Sequence, residues 1–205
     1  TYVGGIDKIN EVLPIKDGNK IIFKEIEYIP ALLNIFNEIL VNARDQIVRL
    51  QGLKDDVKII QVSNVKINFN EDLSITILND GNGIPIKKHE KEKIYIPQLI
   101  FGELLTSSNY KKGEKRIVGG KNGYGAKLAN IFSDTFTIET VDHINKFKYT
   151  QTWEKNMTKC NEPIIKKCQG KPYTKITWKC DFKRFGLNKY SDDMLSLMYR
   201  RIYDI

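Results

Sequence analysis

The chain has 205 residues, 41% of them hydrophobic and 10% aromatic, which is enough for one substantial domain with a core of its own. No apolar run approaches the ~20 residues of a membrane-spanning helix, and no stretch reads as a secretory leader, so a helical membrane protein is excluded. The net charge of +8 suits a polyanionic partner, but 33 basic residues scattered among 25 acidic ones describe a solvated surface equally well. Cys160, Cys168 and Cys180 match no zinc spacing and are expected to be reduced, intracellular thiols. His89 and His143 stand alone and receive no metal role. Running from Thr1 to "RRIYDI", the chain is expected to be a piece of a longer protein.

Residues 1–29 mix short apolar runs with turn residues and predict an irregular segment with one or two short strands. "PALLNIFNEILVNARDQIVRL" then carries Pro30 at a first helical position and apolar residues at helical spacing through Leu50, with Gly52 as the stop. "VKIIQVSNVKINFN" and "LSITIL" are β-branched, partly alternating runs around a turn, and predict neighbouring strands. The turn "NDGNGIP" follows, then a short helix in "PQLIFGELL" and a long polar loop over 106–122. A loop of that length inside a compact domain is expected to close over a ligand. A helix over 124–132 precedes three strands, "TFTIETV", "KFKYTQTW" and "TKITWKC". The last helix starts after Ser191, an N-cap followed by acidic first-turn residues. Helices and strands interspersed in this way predict an α/β two-layer sandwich.

Three stretches carry candidate chemistry. In "VGGKNGYGAKLANIF" four glycines fall within seven positions at the start of a helix, where backbone N–H groups and the helix dipole favour an anion. The order fits neither a P-loop, because Ala126 precedes Lys127 and Leu128 stands in the hydroxyl position, nor a dinucleotide fingerprint. Taken alone it reads equally as a glycine turn without a ligand. In the first long helix Glu38, Asn42 and Asp45 fall at i, i+4 and i+7, on one face among Ile35, Phe36, Ile39, Leu40 and Val41. A carboxylate in a partly dry cleft suits a general base, and an amide oxygen one turn later suits Mg²⁺; a solvated polar stripe is the bland alternative. In "NDGNGIP", Asn79 ends a strand where its amide could meet a base edge, and Gly81 and Gly83 let a ring approach the backbone.

The order of these stretches resembles the GHKL (Bergerat-fold) ATPases, which include type II DNA topoisomerases, Hsp90 chaperones, histidine kinases and MutL repair proteins. The strings "TYVGG", "PALLNIFNEILVNARDQ", "NDGNGIPIKKHEKEKIYIPQLIFGELLTSSNY", "VGGKNGYGAKLANIFS", "YTQTWEKNM" and "RRIYDI" are most similar to the N-terminal ATPase region of eukaryotic-type topoisomerase II, over the whole of 1–205. The resemblance implies a single GHKL ATPase domain whose mixed, mostly antiparallel sheet has helices on one face. It implies ATP and Mg²⁺ as cofactors, and DNA, a homodimer and a nuclear location for the full-length enzyme. No membrane partner is implied.

Carried onto matching positions, the resemblance makes Glu38 the general base, Asn42 the Mg²⁺ holder and Asn79 the adenine contact. Asp45 supports the pocket. Ser107, Ser108 and Asn109 bind ribose and phosphate, and Thr174 lies at the adenine end. Gly120, Lys121, Asn122 and Gly123, with Tyr124, Gly125, Ala126 and Lys127, cradle the phosphates. Many relatives have Ala-Asp-Asn where this chain has Ala43-Arg44-Asp45-Gln46, and Arg where Lys121 stands. A chaperone or repair ATPase is a second reading, opposed by "FGELLTSSNY" and "RRIYDI"; a basic, non-catalytic nucleic-acid module is a third. Without a following domain and a partner's arm, the fragment is expected to bind ATP, stay mainly monomeric and hydrolyse weakly.

Overall fold

The computed structural model describes residues 3–53, 56–103 and 125–204. Its first two strands, β1 (Ile9–Asp17) and β2 (Lys20–Tyr28), pair antiparallel around a tight turn that joins Asp17 to Lys20. They are longer than the sequence suggested and form a sheet of their own. Their alternation is legible in hindsight: Ile15 and Ile26 turn inward onto Leu197 of the last helix, while Val12 and Phe23 face outward.

Helix α1 (Pro30–Gln51) starts at the expected proline and ends at Gly52. Its apolar stripe of Ala31, Leu32, Ile35, Phe36, Ile39, Leu40 and Ala43 is buried. β3 (Val65–Phe69) and β4 (Ile75–Asp80) pair antiparallel as expected, but the preceding 57–64 run is irregular. The reason is a competition for backbone donors: Asp80 Oδ1 takes the N–H groups of Ser63 and Asn64, and Asn82 Oδ1 takes that of Ile60. Then come α2 (Ile96–Gly102), α3 (Gly125–Ile131), β5 (Ser133–Asp142), β6 (Phe147–Glu154), β7 (Lys159–Cys160), β8 (Ile164–Lys167) and β9 (Tyr173–Cys180). The chain closes with α4 (Asp192–Ile202), whose N-cap Ser191 accepts from Met194 N at 3.1 Å.

Seven strands among the described residues make the main sheet, in the order β3-β4-β9-β5-β6, with β7 and β8 both pairing with β6. Every pairing is antiparallel. One face is apolar: Ile75, Ile77, Phe136, Ile138, Tyr149, Trp153, Ile176 and Trp178 are buried against α1 and its neighbours. Phe36 and Trp178 meet across the two layers with ring centroids 6.5 Å apart. The two-layer α/β sandwich expected from the order of elements is the architecture found. No helix among the described residues is long and apolar enough to cross a membrane.

Candidate active site

The polar face of α1 opens onto the start of α3. A Cβ on Gly125 would overlap the Glu38 carboxylate where it lies, so a side chain at 125 would push that carboxylate aside. Much of Glu38 is exposed, but its carboxyl end is the part pressed against Gly125. Burial pushes its pKa above the usual carboxylate range, and the negative charge of Asp45 adds to the shift. Asn42, between them, is partly buried, and its Nδ2 has no hydrogen-bond partner among the described residues. An unsatisfied amide at such a position is costly unless something else meets it. Arg44 is exposed, and Ala43 beside it is buried.

The sheet supplies the opposite wall. Asn79 is 6% exposed at the end of β4, directly opposite Thr174 on β9. Its Nδ2 donates to Asp80 O at 3.0 Å, which leaves its carbonyl oxygen as the acceptor edge. Asp80 is spent on the 63–64 backbone and on Asn64 Nδ2, so of the two adjacent polar residues only Asn79 remains available. Thr174 Oγ1 lies 3.1 Å from Thr140 Oγ1. Thr140 is fully buried; its hydroxyl donates to Tyr173 O at 2.9 Å and accepts from Ile84 N at 2.9 Å. Gly83 sits so close to this point that a Cβ would strike Val141 O. Asp142 accepts from Ile86 N at 2.8 Å, and Gln46 Nε2 on α1 donates to Asn82 O at 2.8 Å. The turn is thereby tied to β5 and to α1.

Lys127 is buried in α3, and burial lowers its pKa. Glu38, Asn42, Asp45, Asn79, Gly125, Ala126, Lys127 and Thr174 are thus all placed on α1, α3 and the ends of β4 and β9. Ser107, Ser108, Asn109, Gly120, Lys121, Asn122, Gly123 and Tyr124 lie outside the described residues. Sequence reasoning missed Thr140, Asp142 and Gln46. Their partners are 56 residues away for the first two and 36 for Gln46, and no local pattern announces such bonds. Among the described residues there is no cluster of three His, Cys, Asp or Glu able to hold a metal. Magnesium bound through a nucleotide needs only one or two protein oxygens, and the Asn42 amide beside Glu38 fits that requirement.

No family model matches the chain. Curated relatives match along all of it: DNA topoisomerase 2 of Candida glabrata is 49% identical and that of Plasmodium falciparum 42%. The chain spans 14% and 15% of the length of these two proteins. Among solved structures, the ATPase region of Saccharomyces cerevisiae topoisomerase II is 45% identical with a TM-score of 0.88; the match covers 100% of this chain and 53% of that one. The 43K ATPase domain of Thermus thermophilus gyrase B, at 20% identity and a TM-score of 0.60, covers 84% of this chain, spans 40% of its own and shares the fold. Matched over its whole length at 42–49% identity, and superimposing on a solved ATPase region, the chain belongs to the type II DNA topoisomerase family, as part of its ATPase region.

Proposed function

We propose that the chain is a single ATPase domain that binds ATP between α1 and the β4 and β9 ends, with the triphosphate at the start of α3. The observation that carries this reading is the contact of Glu38 with Gly125, which sets a carboxylate of raised pKa against the first residue of the glycine-rich helix. Adenine carries an amino donor, and Asn79 offers an oxygen acceptor in a nearly closed position. Lys127 and the backbone donors preceding it face the phosphates, where cations and fixed N–H groups stabilise the charge that grows on phosphoryl transfer. Glu38 takes the proton of the attacking water, and its raised pKa brings it nearer the optimum for a base at neutral pH. Asn42, one turn from Glu38 on the same face of α1, is the residue that would hold Mg²⁺, through its side-chain oxygen rather than through the unpaired Nδ2. When bound, the ion neutralises phosphate charge.

In the longer protein this activity would drive DNA strand passage, in keeping with the relatives' name, DNA topoisomerase 2; a homodimer and a nuclear location are part of the same proposal. The test is calorimetry with a non-hydrolysable ATP analogue, with and without Mg²⁺. Asn79→Ala is expected to weaken binding by about 1–3 kcal/mol, the cost of unpairing a buried polar contact. Glu38→Gln should bind normally while lowering turnover by ~10²–10⁴-fold in a hydrolysing full-length protein. Unchanged affinity in the first variant removes Asn79 from the site. Unchanged turnover in the second assigns the base to another residue.

A further inference from the structure

Asn79, Thr174 and Thr140 are partners across β4, β9 and β5, so they form one row on the face of the main sheet that α1 covers, two positions along from Ile77, Ile176 and Ile138. Thr140 is fully buried, and a Cβ on Gly83 would come within 2.8 Å of its hydroxyl, so the turn is packed directly on that group. A threonine hydroxyl has one hydrogen to give and two lone pairs. The Thr140 hydrogen goes to Tyr173 O at 2.9 Å, because a carbonyl can only accept. One lone pair takes the N–H of Ile84 at 2.9 Å. Thr174 Oγ1, 3.1 Å away, is therefore the donor in its contact with Thr140, whose single hydrogen is spent. Having given up its own hydrogen, the Thr174 hydroxyl meets anything else with lone pairs alone. Asn79, directly opposite on β4, is turned in the same sense: its Nδ2 donates to Asp80 O at 3.0 Å, and Oδ1 is left as the acceptor. Two acceptors thus stand side by side. The 6-amino group of adenine has two hydrogens for them, whereas a 6-oxo purine brings only lone pairs to that position and leaves both unpaired.

We propose that Thr140 is a specificity-determining positioning residue: without touching the nucleotide, it takes the Thr174 hydrogen and so fixes that hydroxyl as an acceptor, which admits a 6-amino purine and opposes a 6-oxo purine. This rests on the ATP reading above. A hydroxyl free to rotate beside the base would donate to an oxo group as readily as it accepts from an amino group, and Asn79 alone would have to tell them apart. Held by Thr140, the Thr174 hydroxyl adds to that discrimination.

The experiment measures by calorimetry, with Mg²⁺, the affinity for ATP and for inosine triphosphate, which carries an oxo group in place of the 6-amino group. The proteins are the unaltered chain, Thr140→Val, Thr140→Ser, Thr174→Val, and Thr140→Val combined with Thr174→Val. The readout is the ratio of the two affinities, because a mere loosening of the turn weakens both nucleotides alike. The unaltered chain is expected to prefer ATP by about tenfold or more, and Thr140→Val to reduce that preference about three- to tenfold, the scale of one hydrogen bond. Thr140→Ser keeps the hydroxyl and should retain the preference. Thr174→Val should reduce it by a similar factor, and adding Thr140→Val should reduce it no further. An unchanged ratio in Thr140→Val, an equal fall in Thr140→Ser, or a further fall in the double variant would each overturn the proposal. Should Thr140→Val not fold, the other single variants decide: a ratio kept in Thr140→Ser and reduced in Thr174→Val upholds the proposal, and any other pattern overturns it. Failure of the unaltered chain to bind ATP overturns the ATP reading and this proposal together; equal binding of the two nucleotides overturns this one alone.

Discussion

At Glu38 two demands meet: the side chain must stay close to the phosphate end, and its carboxyl must hold a proton loosely enough to give it up again. Gly125 meets the first by leaving room, and partial burial beside Asp45 meets the second by raising the pKa. A carboxyl raised on folding favours the folded state below its unfolded pKa, and that contribution is lost as pH rises through the raised value. At neutral pH the ionised Glu38 therefore works against stability. Glu38→Gln is expected to melt at the same temperature or higher at pH 7, even as turnover falls; a clear drop in melting temperature would contradict the burial argument. Gly125→Ala tests the other demand. Its methyl would displace the flexible Glu38 side chain, so thermal stability should change by less than about 1 kcal/mol while turnover falls sharply. Normal turnover in that variant would show that the carboxylate tolerates displacement.

Elements are held around the site by hydrogen bonds from side chains to backbone. The turn after β4 is bonded to α1 by Gln46, to the 60–64 segment by Asn82 and Asp80, and to β5 by Thr140 and Asp142. Burial alone would push Asp142 up; hydrogen bonds from Asn145, with Ile86 N and Ile144 N, outweigh it and hold the carboxyl below its usual range. Gln46 has work of its own in the structure: its bond to Asn82 O ties α1 to the turn. Gln46→Ala is expected to cost about 1 kcal/mol in denaturant unfolding and to weaken nucleotide binding, because Asn79 and Asn42 sit on the two elements it joins. Unaltered stability would mean that the other ties suffice.

Across the whole molecule the main sheet separates an apolar face under the helices from a polar face of threonines and lysines. Thr76–Thr177 and Thr137–Thr152 are hydroxyl pairs 3.0 and 2.9 Å apart, and Glu139 joins Lys148 at 3.1 Å and Lys175 at 3.0 Å. Burial alone would raise the Glu139 pKa, but hydrogen bonds from Tyr173, Lys175 and Lys148 outweigh it and bring it from 4.5 down to about 2. A depressed carboxyl stabilises the fold above its unfolded pKa, and that stability is lost as pH falls from 4.5 towards about 2. Its two lysines are partly exposed, so the contribution is discounted to on the order of 1–2 kcal/mol. Glu139→Gln should therefore flatten the acid limb of the stability curve over that window. An unchanged acid limb would place the acid sensitivity elsewhere.

Local chemistry by itself determined the long helix between Pro30 and Gly52, the Ser191 cap, the β3–β4 pair, the strands β5, β6 and β9 and the α/β class, because caps, glycines and apolar periods act within a few residues; the short β7 and β8 were not expected. It also singled out Glu38, Asn42 and Asn79 as polar groups in apolar or glycine-rich company, while Lys127 entered only with the family resemblance. Tertiary structure decided the rest. The 57–64 run carries a strand's composition, yet the carboxylate of Asp80 and the amide of Asn82 capture its N–H groups, and nothing in the run itself encodes that capture. The start of α3 can lie against Glu38, 87 positions earlier, without displacing its carboxylate because residue 125 is a glycine. Contacts between distant positions depend on how the layers pack, and packing distances are set by the whole core rather than by any segment of it.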